Sequence, residues 1–250
     1  MRSADRPVRK QRVPRDTSQR SDEEVATAAF GSAVAAFQAG LDDQGSLRAE
    51  FTFEDVPAPK RLAPFATATA ATVRRDDADI AWGRLVLLYD PAAPEGWHGC
   101  YRLISYLRAE IDPEIAADPM LGQVGWTWLT EALDARTPGY NAPSGTVTRV
   151  STEGFGGKEE EPPIHGYEQR ASWSPTAAGP GKDPGKDPGQ DPGQDPGPDS
   201  SDPDRLDLAA HVTAWCDSLA AAAGLPPLAP GTYALPSPGR GTEQRPRRRQ

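Results

Sequence analysis

Two basic pairs, Lys60-Arg61 and Arg74-Arg75, and two single arginines, Arg102 and Arg108, are the residues of this chain best suited to chemistry. A guanidinium presents paired N–H donors that match a carboxylate or phosphate. Brought to one edge of a sheet, Lys60, Arg61, Arg102 and Arg108 would form an anion site, with Glu110 beside them as an acid/base group. Ion pairing with the chain's own acids is the plainer use of the same cations. Trp97 is the one of the six Trp that falls outside the expected strands and helices, which makes it the aromatic candidate for ligand contact.

Other constellations are poorer. The three His, at 98, 165 and 211, each lack a second His or Cys at zinc-ligand spacing. His98 lies beside Cys100 without the arrangement of a nucleophile and its base. Glu110, Asp112, Glu114 and Asp118 are dense in acid but lack the ordered spacing and glycine of a calcium loop, and read as a solvated loop with an N-cap. Asp76, Asp77 and Asp79 read as a polar hairpin tip. Gly154, Gly156 and Gly157 open no helix and precede no Gly-Lys-Ser/Thr, so they mark a permissive turn. No Gly-x-Ser-x-Gly elbow occurs. No catalytic residue, metal ligand or cofactor is assigned.

The elements that must position these residues follow from hydrophobic periodicity. Ser21 to Glu24 has the form of a capping box, followed by a helix to about Ala39 with Phe30, Val34, Phe37 and Leu41 on one stripe and Gly40 placed to end it. Phe51 and Phe53 alternate with Glu50, Thr52 and Glu54, as in a half-buried strand closed by Pro57 and Pro59. Phe65 to Val73 and Ile80 to Tyr89 read as a hairpin, with Ala66, Ala68 and Ala70 forming a small-residue face suited to close approach by a helix.

The organising stretch is Trp97 to Thr137. Gly99 to Ile111 fits a strand, with Tyr101, Leu103, Leu107 and Ile111 inward and Arg102, Arg108 and Glu110 outward, although Leu103, Leu107 and Ile111 also have helical spacing. Asp118-Pro119 starts a helix to Arg136, with Leu121, Val124, Trp128, Leu129 and Ala132 on its apolar side. Ser144 to Thr152 and Tyr167 to Ser174 are two more strands. A last helix carries Leu208, Val212, Trp215 and Leu219 and ends at Gly224.

Grouped strands between helices predict a single α+β domain, a mostly antiparallel sheet of about six strands with three helices in the order α-β-β-β-β-α-β-β-α, the helices mainly on one face. The expected domain is 21–227. A basic arm at 1–20, an Asp-Pro-Gly repeat insert at 176–201 and a Pro/Arg-rich tail at 228–250 have the composition of disorder.

The net charge of −9 is unevenly distributed: residues 1–22 carry seven Arg/Lys against three acids and 240–250 carry five against one, leaving a middle at −17. Such a body repels a nucleic-acid backbone, so nucleic-acid binding by the basic tails has little support. Cys100 and Cys216 read as ordinary buried thiols of a reducing compartment. With no apolar leader and no membrane-length apolar run, a cytoplasmic location without membrane contact is expected.

The blocks EDVPAPKRLAPFA from Glu54, GRLVLLYDP from Gly83, GCYRLISYLRAEIDPEIAADPML from Gly99, VGWTWLTEAL from Val124, SGTVTRVST from Ser144, RASW from Arg170 and HVTAWCDSLAAAAGLPP from His211 resemble an actinobacterial domain-of-unknown-function family, number three thousand in its catalogue. The resemblance spans roughly residues 23–227 apart from the insert and its flanks, and implies no activity. The expected role is a non-enzymatic binding or adaptor domain that takes a protein partner or small anionic ligand on one sheet face or edge. The alternative is an anion-binding protein or enzyme built on the Lys/Arg cluster and Glu110.

Overall fold

A computed structural model of the chain describes residues 17–43, 45–177 and 203–227. Nearly all of the expected arm, insert and tail lies outside those residues. The expected architecture holds, with one additional short helix. Helix α1 (Thr17–Asp42) is followed by β1 (Phe51–Asp55), β2 (Phe65–Arg75), β3 (Ala78–Tyr89) and β4 (Tyr101–Glu110), then α2 (Pro113–Ala117) and α3 (Leu121–Arg136), β5 (Tyr140–Thr152), β6 (Ile164–Pro175) and α4 (Leu208–Ala222).

The six strands form one antiparallel sheet in the order β1-β2-β3-β4-β6-β5. The β2–β3 connection is a two-residue turn at Asp76 and Asp77, both at positive φ. That geometry matches strand twist and suits Asp, so the polar hairpin tip is as expected. The 99–111 stretch is a strand: Leu103, Leu107 and the intervening Ser105 all face inward and are buried.

The helices cover one face of the sheet. Helix α4 packs on β3, β4 and β6 and is flanked by α1 on one side and α3 on the other. Its His211, Val212, Ala214, Trp215 and Leu219 are fully buried, as expected of a helix enclosed by a sheet and two neighbours. The organising helix is therefore α4. The Asp118–Arg136 helix lies to one side, and its Trp128 is half-buried against Tyr167 at a ring separation of 5.3 Å.

Several helix boundaries differ from expectation for packing reasons. Gly40 does not end α1. A Cβ there would lie 2.8 Å from the Ala209 backbone and 2.9 Å from Val212, so this glycine lets α1 cross α4 closely. Likewise α1 begins upstream of Ser21, which removes that residue from a capping position. Asp118 does not cap α3: its carboxylate accepts from the Met120 amide in a tight turn, and the helix starts at Leu121. The Ala66, Ala68 and Ala70 face does not receive a helix either. It lies on the opposite side of the sheet, where Val56, Ala58 and Ala63 of the β1–β2 loop pack over Ala68, Val86 and Leu88.

The covered interior includes polar groups. Trp173 Nε1 donates to His211 Nδ1 at 3.2 Å, and Gln169 Nε2 donates to the Gly125 carbonyl at 2.8 Å. Accepting at Nδ1 places the His211 proton on Nε2. Burial pushes the His211 pKa from 6.5 down to about 3. Cys100 and Cys216 are both buried and not joined in a disulfide, and burial raises the pKa of the Cys216 thiol.

Candidate functional site

Strand parity, which sends Leu85, Leu103 and Leu107 inward, sends their neighbours to the other face, which carries no α-helix among the described residues. The register aligns two rows across that face: Ala70, Arg84, Tyr106, Arg170 and Thr146, and beside them Thr72, Trp82, Arg108, Glu168 and Thr148. Trp82 and Tyr106 sit on adjacent strands with ring centroids 6.0 Å apart. The Arg108 guanidinium lies 6.0 Å from the Trp82 ring and that of Arg170 5.4 Å from the Tyr106 ring.

These cation–π contacts keep the two guanidiniums over the rings. Neither arginine is neutralised by an ion pair among the described residues. Glu168 instead bonds to the Tyr106 hydroxyl, and burial, together with that bond and the carboxylate's charge, raises the tyrosine pKa. Arg84 is tied to the Pro57 carbonyl of the β1–β2 loop. The result is a strip of two aromatic rings and three guanidiniums on a strongly acidic chain.

At one end of the strip, a groove of about 330 Å³ is lined by Trp82, Arg108, Glu110, His165, Tyr167 and Glu168 among others. Three carboxylates, from Asp79, Glu110 and Glu168, border it against the single Arg108. Among the described residues no group of three or more His, Cys, Asp or Glu could hold a metal ion.

Arg102 stands at the other end of β4. By parity it points to the helix-free face, yet it is 8% exposed. Its Nη2 donates to Ser172 Oγ at 2.7 Å and to Ser144 Oγ at 3.4 Å, and its Nη1 donates to Ser174 Oγ at 3.3 Å. Burial lowers its pKa. Trp97 lies on the same side, at the end of a short turn (Glu95–Trp97), packed against the Ala68, Val86 and Leu88 cluster.

The expected cationic site is thus not assembled as a unit. Arg102 and Arg108 share a face of β4, but six residues of strand separate them by about 20 Å. Lys60 and Arg61 are exposed in the β1–β2 loop, and no hydrogen bond or ion pair among the described residues joins them to Arg102, Arg108 or Glu110. Arg74 pairs with Asp79 at 2.9 Å at the far end of β2. Arg108 and Glu110 do share the groove. Trp82, Tyr106 and Arg170 were legible only as alternate positions on strands. What marks them is their register across three strands, which no single segment displays. His211 lies in the core, fully buried on α4.

An open-faced, six-stranded antiparallel sheet with helices on one side defines the class of domain. Residues 26–232 match the family described as protein of unknown function, DUF3000, and the chain belongs to that family. No curated protein and no solved structure matches the chain. No helix among the described residues is long and apolar enough to cross a membrane.

Proposed function

We propose that this chain is a non-enzymatic binding module whose helix-free sheet face receives an acidic segment of a protein partner. The observation that carries the reading is the strip itself: Trp82 and Tyr106, flanked by Arg108 and Arg170, on a sheet whose other face is filled by α4. Rings and guanidiniums of this kind are the side chains most enriched where interfaces gain their energy. The strip is basic while the surrounding body is acidic, so charge complementarity selects a partner segment rich in Asp or Glu. A long polyanion such as RNA fits less well, because Glu110 and Glu168 close one end of the strip, beside the Arg74-paired Asp79.

Titration of the isotope-labelled full chain with a short Glu-rich peptide tests this. Expected are saturable amide and indole shifts centred on Trp82, Tyr106 and Arg170, abolished in Trp82→Ala/Arg170→Ala and weakened by salt. Shifts spread over the whole surface, or binding unchanged in the double variant, would refute it.

A second reading rests on the groove, where Arg108 and Glu110 meet beside His165. Its volume is at the small end for ligand pockets. It suits a small ligand with one anionic group on Arg108 and hydrogen-bond donors toward the carboxylates. Loss of binding in Glu110→Gln, with the peptide isotherm unchanged, would separate this site from the strip.

A further inference from the structure

We infer that Arg102, Ser144, Ser172 and Ser174 form a binding site for a small oxyanion, a carboxylate or phosphate head group, distinct from the aromatic strip. A chain with 36 Asp and Glu surrounds its buried guanidinium with three hydroxyls and, among the described residues, no carboxylate. Hydroxyls are dipoles, and they offset only part of what is lost when a full charge leaves water. The usual solution for a buried arginine is a carboxylate partner, and here an external anion would take that place.

The geometry around the guanidinium supports the assignment. Three of its five N–H donors are directed at serine oxygens, which leaves Nε–H and one Nη1–H without a described partner. Ser144 and Ser172 are register partners on β5 and β6, with their Oγ atoms 3.2 Å apart. One of these two hydroxyls gives its proton to the other, and the hydroxyl that accepts keeps its own proton to donate. The free Nε–H and Nη1–H lie on different edges of the guanidinium, so an oxyanion would take a single charge-assisted hydrogen bond from one of them and a neutral one from a neighbouring serine hydroxyl, all on fixed strands.

Access comes from the β5 side. Ser144 is exposed and Ser172 half-buried, while Ser174 is fully buried beneath them. Leu88 is the register partner of Arg102 on β3, and the Glu95–Trp97 turn, whose Trp97 packs against the cluster containing Leu88, also contacts β5. A small organic anion would thus set its charged head on Arg102 and the serines, with its apolar part toward Trp97. The site stands whether or not the strip receives an acidic peptide, since Trp82 and Arg170 take no part in it.

The test uses the full chain and calorimetric titration at constant ionic strength with inorganic phosphate, acetate and benzoate, with chloride as the reference. Saturable one-to-one binding of phosphate or of a carboxylate is expected. Phosphate alone would identify the phosphate class, and benzoate binding more tightly than acetate would identify an organic carboxylate resting on Trp97. Arg102→Lys keeps the charge but not the fork and should weaken binding by about tenfold or more.

Because Arg102 is buried, its variants require a folding control. Ser144→Ala, at an exposed position, supplies a variant that should fold normally and bind severalfold more weakly. Trp82→Ala/Arg170→Ala should leave the anion isotherm unchanged, which keeps this result separate from the strip's. The inference is overturned if the heat reflects ionic strength alone, or if Ser144→Ala and Arg102→Lys bind as tightly as the parent. It is overturned equally if binding appears only after Asp183, Asp187, Asp191 and Asp195 are changed to Asn, since the natural counterion would then belong to the chain itself.

Discussion

On β4, Leu103, Ser105 and Leu107 turn toward α4 and are almost fully buried, whereas Tyr106 and Arg108, each one residue from Leu107, turn to a face that no helix among the described residues covers. The two faces are made by the same strands and differ only in parity. On the covered face the side chains are leucine, tryptophan and a few polar groups, some internally bonded and others, such as Ser105 Oγ and Trp215 Nε1, without a hydrogen-bond partner among the described residues. On the open face they are rings paired with guanidiniums, with serines around Arg102. The covered face has the composition of a core and needs no ligand to explain it. The open face holds charge and aromatic area without a core's enclosure, which is the pattern of a surface kept for binding.

The comparison can be broken first at Trp215, which is 0% exposed between the sheet and the neighbouring helices. Trp215→Ala should lower unfolding free energy by about 3–5 kcal/mol in denaturant titration. A loss under ~1 kcal/mol would show that the covered face is not the stabilising one.

Acid should act on the same face. His211 is held near a pKa of about 3 when folded against 6.5, so between those values the unfolded chain takes up a proton that the folded chain refuses. Its contribution is fully favourable to the fold above about pH 6.5 and is lost as pH falls toward 3, at a limiting slope of about 1.4 kcal/mol per pH unit. The difference in stability between the parent and His211→Gln, measured from pH 7 to pH 4, should shrink or reverse with acid; a constant difference would contradict the buried neutral histidine.

A smaller effect is expected where helix meets sheet. A Cβ on Gly83 would lie 2.8 Å from the Trp215 ring and 2.9 Å from Leu219, so Gly83→Ala should cost about 1–3 kcal/mol by overpacking. A neutral result would mean that α4 sits farther from β3.

The open face gives the smallest stability effect and the sharpest contrast. Trp82→Ala should change stability by about 1 kcal/mol or less while removing peptide binding. A destabilisation comparable to that of Trp215→Ala would erase the distinction between the faces.

Much of this fold was legible because strand parity and helical stripes are local properties. Phe51 and Phe53, the Leu85–Leu88 run, and Arg102 and Arg108 opposite Leu103 and Leu107 all sort to the faces that alternation implies. What alternation cannot specify is what comes to rest on a face. Arg102 has outward parity but is buried, with serines from two other strands closing around it and the Trp97 turn on the same side. Gly40 looks like a helix terminator until Ala209, far along the chain, is seen against it. The candidate cations illustrate the same limit, since Lys60 and Arg61 share their charge type with Arg102 but not its location. Trp82 and Tyr106 acquired meaning only when register placed them side by side.

The position of α4 in the chain bears on how the protein is made. Every strand precedes it, yet it fills the middle of the helical layer, with its side chains against Gly83 and between α1 and α3. A ribosome emitting this chain releases the leucine-lined side of the sheet before the segment that seals it exists. The nascent domain must therefore pass through a stage of sticky, half-built topology, and a stalled or prematurely terminated product would be a natural client for chaperones and proteases.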